Sequence, residues 1–531
     1  MTCTERRRLP GAWKAAVRLG RQASVVAVVV VLSACATQPS VERTQPIPID
    51  AARRTLSVGF EQLSERYIEY QPVGALAFEG LRGLNAIDPA FEATRNAETV
   101  SFGVEGHGSH SVAAPSDTDA ERWAVLTVEA IRTIREESQA LAKASIEQIY
   151  EAIFDGSLSL LDTYSRYAGA EEAALNREKR SGFGGIGIIV QNAPRGAAIV
   201  QVLYDSPALQ AGLREGDIVT HIDSKPVVSA KSTDISDPVR GPIGTSVVLR
   251  IERANAETFD VDLTRQRVAS PTVYVSDRSN IITARITGFN RSTTRQLAAQ
   301  LTETIQRLGG GARGIVLDFR GNPGGLLSEA VRMADLFIPD GRIVTTTGRH
   351  PASVHDYEAR EDDLAGGLPI VVVVNGRSAS ASEIVAAALQ DHERAIVIGS
   401  ISYGKGTVQT VIPLPNEGEL TVTWSKFLAP SGYALNGLGV RPSICTNAVE
   451  ATAEQLIKQA ASSGADLINI FEAWRGIDRR SDTDRKSLRA VCPASDRVDD
   501  LDGSIAESLI VDRGLYNRIL AFAPMSVAAH K

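Results

Sequence analysis

Histidine is scarce in this chain: seven occur in 531 residues, and none lies in a recognisable catalytic motif. A serine nucleophile activated by histidine is therefore unattractive unless the base arrives from a distant part of the fold. Cysteine is scarcer still, at four, and neither Cys445 nor Cys492 has neighbours at metal-ligand spacing, so no metal site is expected. Basic blocks are missing beyond the N-terminal segment, which argues against a nucleic-acid partner. There is no GxxxxGK[ST] and no strand-GxGxxG-helix unit with a ribose-binding acid, so the glycine-rich stretches do not read as nucleotide loops. Long apolar runs are missing too. Residues 23–32 form a short one, too short to span a bilayer comfortably.

What is present is an ordinary globular composition, 43% hydrophobic and 22% charged, at a length that suggests about three or four domains. Residues 1–34 read as a signal segment: Arg6, Arg7, Arg8, Lys14, Arg18 and Arg21 precede the apolar run, which ends in Leu-Ser-Ala-Cys at Cys35. That ending resembles the lipobox of bacterial lipoproteins and implies lipid on Cys35; an ordinary signal peptide with a chance cysteine is the alternative. Lipid there would anchor the protein without spanning the membrane. Ala36 rather than Asp follows, which in a Gram-negative envelope favours the outer membrane. Loss of six basic residues and one acidic, Glu5, lowers the formal charge from −7 to −12, an acidic exported protein. In an oxidising compartment Cys445 and Cys492 become a disulfide candidate, with two buried free thiols as the alternative.

Residues 35–50 are polar and Pro-containing, a tether. Residues 51–170 carry helical periodicity, interrupted at 99–119 by a Gly-, Ser- and His-rich stretch expected to be a mobile insertion. From Gly182 the character changes. GFGGIGIIVQ starts with glycines and continues as a strand, followed by AAIVQVLYDSPALQAGLREGDIVTHIDSKPV and a closing hairpin. This order resembles a PDZ domain over residues 171–268. Such a domain captures an extended C-terminus by strand addition and holds its carboxylate on backbone N–H groups. By that resemblance the peptide-binding residues are Gly184, Gly185, Ile186, Gly187 and Ile188. Residues 269–446 alternate strand and helix, so their strand-to-helix turns should gather at the carboxyl ends of the strands, where such folds place their sites.

One of those turns, NGRSASASEIVAAALQ from Asn375, carries Ser378, Ser380 and Ser382. Ser380 sits at the expected bend, near free helix N–H groups. It also begins an S-x-x-E pattern with Glu383, so a plain N-cap is the competing reading. His392 is nearest in sequence, but a helix of ten residues, about 15 Å, separates it from the serines. Lysine is the other available base, once burial brings its pKa down. Lys405 lies in YGKGTVQT, between two glycines.

The Pro-Gly-Gly turn, SASASEI and GKGTVQ occur in this order, each beside an apolar strand, after the PDZ-like segment. Together they closely resemble the C-terminal processing peptidases, a serine endopeptidase family. Beyond the reach of this resemblance, residues 447–531 carry helical pattern in EQLIKQAASSGADLINIFEAW and read as a helical C-terminal extension, open to being an oligomer contact, an adaptor site or a cap. The resemblance implies a multidomain α+β and α/β protein: a helical N-terminal region, a PDZ domain and a ClpP/crotonase-like α/β protease core. It implies Ser380 as nucleophile, Lys405 as base and Gln409 as the residue orienting the lysine. It places the oxyanion on the N–H of Ala381 and of a glycine, Gly325 first and Gly324 second, since Pro323 has no N–H. Arg240 is a candidate for coupling the PDZ domain to the core. No cofactor is implied. The partners implied are protein or peptide substrates with apolar C-termini and the membrane through Cys35; an adaptor lipoprotein and a homo-oligomer stay open. Two other readings compete: a catalytically silent PDZ scaffold of the cell envelope, and a Ser-His-Glu hydrolase using His107 or His110.

Overall fold

The segments VVVV and AIVIG show no polar alternation, the pattern of strands covered on both faces. They belong to Ile370–Val374 and Ala395–Gly399, inner strands of a six-stranded sheet. The structure, a computed structural model, describes residues 47–227, 238–254, 258–447, 451–476 and 482–522. The sheet order is Val273–Arg278, Ile281–Ile286, Gly314–Asp318, Ile370–Val374, Ala395–Gly399, Ile444–Cys445. The first pair is antiparallel and the rest are parallel.

Alternation along these strands sorts them into two cores. Ile315, Leu317, Ile370, Val372 and Val397 face the helices Thr293–Leu308, Leu327–Asp335 and Ala381–Asp391. Val316, Val371, Val373, Ile396 and Ile398 face the other way, against Leu456, Ile505, Leu509, Ile510, Tyr516 and Ile519. Those partners come from Ala453–Ser462, Asp500–Val511 and Arg513–Leu520. The C-terminal extension is therefore not an appendage beyond the protease core but its second helical layer. Each of these side chains gains roughly 1.5–3 kcal/mol from burial, so the sheet depends on that layer. A disulfide joins Cys445, on the edge strand, to Cys492.

A second sheet runs His355–Glu358, Arg342–Thr347, Glu419–Leu428, Thr407–Pro413, and Arg166–Ala168 also pairs with Glu419–Leu428. Through it the N-terminal region joins the protease. The helices Ile49–Arg66, Val73–Arg82, Ala120–Glu137 and Ile146–Leu158 pack around Phe60, Trp123 and Phe154, and Ile412, Leu420 and Val422 complete that core. Ser145 and Gln148 start the last of these helices with a reciprocal capping box.

The stretch 99–119, expected to be a mobile insertion, is instead largely sheet. Thr99–Val104 and Ser109–Ala113 form a hairpin that Phe91–Arg95 extends to three strands. Val100, Phe102 and Val104 alternate inward, with His110 stacked on Phe102, while Ser101, Ser109 and Ser111 lie on the other side; the small polar residues hide the period-2 pattern.

The PDZ-like unit is a sheet in the order Phe259–Thr264, Ser246–Glu252, Ile218–Ile222, Gly196–Val202, Ile188–Ala193 around its own small core of Ile186, Ile199, Val219, Leu249 and Ile251. Phe183–Gly185 pairs with Gln266–Val268, so entry and exit of the unit are stitched together. Among the described residues no helix is long and apolar enough to cross a membrane. The expected leader and Cys35 lie outside the described residues.

Candidate active site

The three serines separate by what their hydroxyls do. Ser378 is fully buried; its Oγ donates to Phe319 O at 2.8 Å and accepts from Asn375 N–H at 2.9 Å. Ser382, also fully buried, donates to Asn322 O at 2.9 Å. These two pin the turn to the loop that follows Gly314–Asp318. Ser380 lies between them, half-buried, at φ +56° just before the helix Ala381–Asp391. Positive φ is uncommon for a residue with a Cβ and costs on the order of 1–3 kcal/mol, so it persists only where the surroundings hold it.

The holding group is Glu383. Its carboxylate is completely buried and accepts from the Ser380 N–H at 2.7 Å, the Lys405 N–H at 3.0 Å, the Gly404 N–H at 2.6 Å and the Ser402 hydroxyl at 2.5 Å. Burial pushes this carboxyl above the usual range, and the four hydrogen bonds oppose the shift. One oxygen thus receives the backbone of both Ser380 and Lys405. The S-x-x-E pattern was legible as a helix cap; that its carboxylate also organises the lysine loop was not.

The glycines around Lys405 have separate reasons. Gly404 has φ +90°, and a Cβ on Gly406 would stand 2.0 Å from Asn436 N. Between them Lys405 is half-buried, its ammonium 5.0 Å from the centre of the Tyr164 ring. Burial pulls the amine below the ordinary lysine range and the neighbouring Arg166 pulls the same way; Asp162 and Glu383 oppose both. Tyr164 itself is pushed up to about 12 by burial and by its hydrogen bond with Tyr403. Residues 162–166 end the N-terminal region, a position that periodicity alone does not link to a loop 240 residues away.

Gln409 stands at a register shift in the pairing of Thr407–Pro413 with Glu419–Leu428. Its Nε2 donates to Thr407 Oγ1 at 2.9 Å and Thr423 Oγ1 at 3.1 Å, and no hydrogen bond links it to Lys405.

The Asn-Pro-Gly-Gly loop abuts the serine bend. A Cβ on Gly324 would stand 2.8 Å from Ser380 Cβ and 2.9 Å from Ala381 N. Of the two glycines expected as oxyanion donors, Gly324 already donates its N–H to Asn322 Oδ1 at 2.8 Å. Among the described residues the N–H groups of Gly325 and Ala381 donate to no partner.

In the PDZ-like unit Gly185, Ile186, Gly187 and Ile188 line a cavity of about 260 Å³ with Leu203 and Val239. The carbonyls of Ile186 and Gly187 accept from Ala208 and Leu203, while their N–H groups have no partner among the described residues. Gly184 does not line this cavity. Its carbonyl accepts from Gly241 N–H at 3.0 Å, and a Cβ there would meet Gly241 O at 2.0 Å. Arg240 lies over the Phe183 ring at 3.9 Å and pairs with Glu178 at 3.4 Å on the helix Ala170–Ser181. From that helix Arg180 reaches the buried Glu419 of the second sheet at 2.7 Å, so Arg240 meets the protease at one remove. The histidines are engaged elsewhere: His110 with Glu137 at 2.6 Å in the N-terminal region, His392 with Arg342 O at 2.7 Å beyond the far end of the serine helix.

Comparison with known proteins gives the following. The model of peptidase family S41 matches residues 280–446, and a PDZ domain model matches residues 199–253. A carboxy-terminal-processing protease of Bartonella bacilliformis is 38% identical over 301 residues, which is 56% of this chain and 69% of that one. A Staphylococcus epidermidis protein named as a CtpA-like serine protease is 33% identical over 306 residues, 57% of this chain and 61% of that one. Among solved structures, a photosystem II D1 C-terminal processing protease aligns with a TM-score of 0.35 at 25% identity, covering 69% of this chain and 92% of that one.

Proposed function

Because this chain belongs to the carboxy-terminal-processing proteases of peptidase family S41, and is a serine-type peptidase, we propose that Ser380 is its nucleophile and Lys405 its general base. The observation that carries this reading is the fate of the three hydroxyls: two are buried and committed to carbonyls, and the third sits half-buried at a strained bend whose N–H shares a carboxylate with the Lys405 N–H.

In the proposed cycle neutral Lys405 accepts the Ser380 proton as Oγ attacks the scissile carbonyl. The oxyanion rests on the N–H groups of Ala381 and Gly325, each worth roughly 3 kcal/mol in the transition state. The lysine proton passes to the leaving amine, and water then hydrolyses the acyl-enzyme with Lys405 again as base. Gln409 Oε1 orients the lysine amine. The substrates are exported proteins whose apolar C-termini add to Ile188–Ala193, with their carboxylate on the free N–H groups of Ile186 and Gly187. Arg240 relays that binding through Glu178 and the Ala170–Ser181 helix. The protein works at the cell envelope, anchored through lipid on Cys35.

A mass-spectrometric census of envelope-protein C-termini, in cells carrying the protein or its Ser380→Ala form, tests this. Longer C-termini with Ser380→Ala are expected and would name the substrates. Identical C-termini with both forms stably expressed would overturn the nucleophile and leave a PDZ scaffold.

A further inference from the structure

Besides Glu383 and Tyr164, the Lys405 loop leans on a second loop. Gly437 N–H donates to Gly404 O at 2.8 Å, Val440 N–H donates to Ser402 Oγ at 2.7 Å, and Gly406 is in contact with Asn436. Residues 402–406 and 436–440 are therefore joined into one body. The outer side of that body is held by the C-terminal helices. Trp474 Nε1–H donates to Gly439 O at 3.3 Å, and Arg485 donates to Asn436 O at 2.8 Å. Arg489 does more: it donates to Leu438 O at 2.5 Å and to Ser402 O at 3.1 Å, bridging both loops. Arg485 and Arg489 are one turn apart on Asp482–Ala490 and so reach out from the same face. Space is left for the guanidinium by two glycines: a Cβ on Gly404 or Gly439 would stand 3.2 or 3.1 Å from Arg489 Nη1.

We propose that the C-terminal extension positions the catalytic lysine loop, with Arg489 as the positioning residue and the Cys445–Cys492 disulfide as its fastening. Cys492 lies two residues beyond the end of the arginine helix and is bonded to the edge of the core sheet. Past it, Ser495 O accepts from Gly376 N–H at 2.6 Å, in the serine turn, and Ser495 N–H donates to Ser400 Oγ at 3.0 Å. One short stretch of chain thus touches the loops of both the nucleophile and the base. It lies outside residues 280–446, the part matched by the family model. Arginine suits the task because its rigid fork offers several donors and never loses its charge. The inference rests on the Ser380–Lys405 reading, because its consequence is misplacement of that base.

The test uses the full chain with Arg489→Ala, Arg489→Lys and the double change Cys445→Ser with Cys492→Ser. The readouts are kcat and KM on a peptide with an apolar C-terminus, the acylation rate of Ser380 by a fluorophosphonate, and thermal unfolding. For Arg489→Ala we expect kcat and acylation to fall by about tenfold or more, with KM held within about twofold, because geometry at the base is lost and the peptide groove is untouched. Arg489→Lys should recover part of kcat through one carbonyl, and the cysteine pair should lower kcat in the same direction. Wild-type kcat in Arg489→Ala overturns the proposal. So does a loss that merely follows the folded fraction, with Arg489→Lys no better than Arg489→Ala. Ser380→Ala and Lys405→Ala run alongside. Activity in either overturns the Ser–Lys reading itself, whereas two inactive controls beside a fully active Arg489→Ala overturn only the positioning role.

Discussion

The bend that carries Ser380 is held by side chains of its own motif: Ser378 and Ser382 bind the neighbouring loop, and Glu383 closes the first helical turn, while Gly376 at its start is bonded to Ser495. The loop that carries Lys405 is held from outside, by Tyr164 from the N-terminal region, by residues 436–440, and by Arg489 from the C-terminal helices. Glu383 belongs to both. On the proposed assignment the nucleophile is thus fixed mainly by side chains of its own motif, while the base takes its place from segments outside its motif on both sides in the sequence. A serine needs mainly a fixed bend, which a short motif supplies. A lysine base needs partial burial and a tuned set of charges, which only a pocket built from several segments supplies.

Removing either reacting group should have the largest effect. Ser380→Ala and Lys405→Ala should each lower kcat by several orders of magnitude, on the order of 10⁴ or more, read as peptide turnover. Next comes the shared carboxylate. Glu383→Gln keeps the shape but turns an acceptor toward four donors into a mixed group, so a buried network is broken at roughly 3 kcal/mol and activity falls on the order of a hundredfold, with a lower unfolding midpoint. A result within twofold of wild type would mean that the two loops are independent after all. Gly324→Ala should act on the serine side alone. Its Cβ meets Ser380 and Ala381 N on a backbone at φ +97°, so fluorophosphonate labelling should slow strongly.

The lysine side can be moved by charge instead of shape. On the proposed mechanism Lys405 acts when neutral, so kcat/KM should rise with pH and level off above its lowered pKa. Arg166→Gln removes a like charge and should move the ascending limb to higher pH. Asp162→Asn removes an opposite charge and should move it to lower pH. Equal profiles for all three proteins would show that burial alone sets the base. The smallest effect belongs to Arg240→Ala. Its ion pair with Glu178 is exposed at both ends and worth about 0–1 kcal/mol, so stability should hardly change while stimulation by a C-terminal peptide weakens.

The sequence by itself determined a good deal. Alternation, unbroken apolar runs and turn residues placed the strands and helices of the core. The resemblance carried by SASASE and GKGTVQ nominated Ser380 and Lys405, and the S-x-x-E pattern offered Glu383 only as a cap. All of these are short-range signals: each depends on neighbours within a few residues. The tertiary structure decided the rest. It wove the Gly- and Ser-rich stretch at 99–119 into a hairpin through inward Val100, Phe102 and Val104, and laid the C-terminal helices on the second face of the sheet. It set Tyr164 beside Lys405 and turned the Gln409 amide toward two threonines. It also took the Gly324 N–H for Asn322 and left those of Gly325 and Ala381 without a partner among the described residues. Which N–H stays free, and which lysine is drawn out of water, depends on the packing of segments far apart in the chain. No local pattern encodes that.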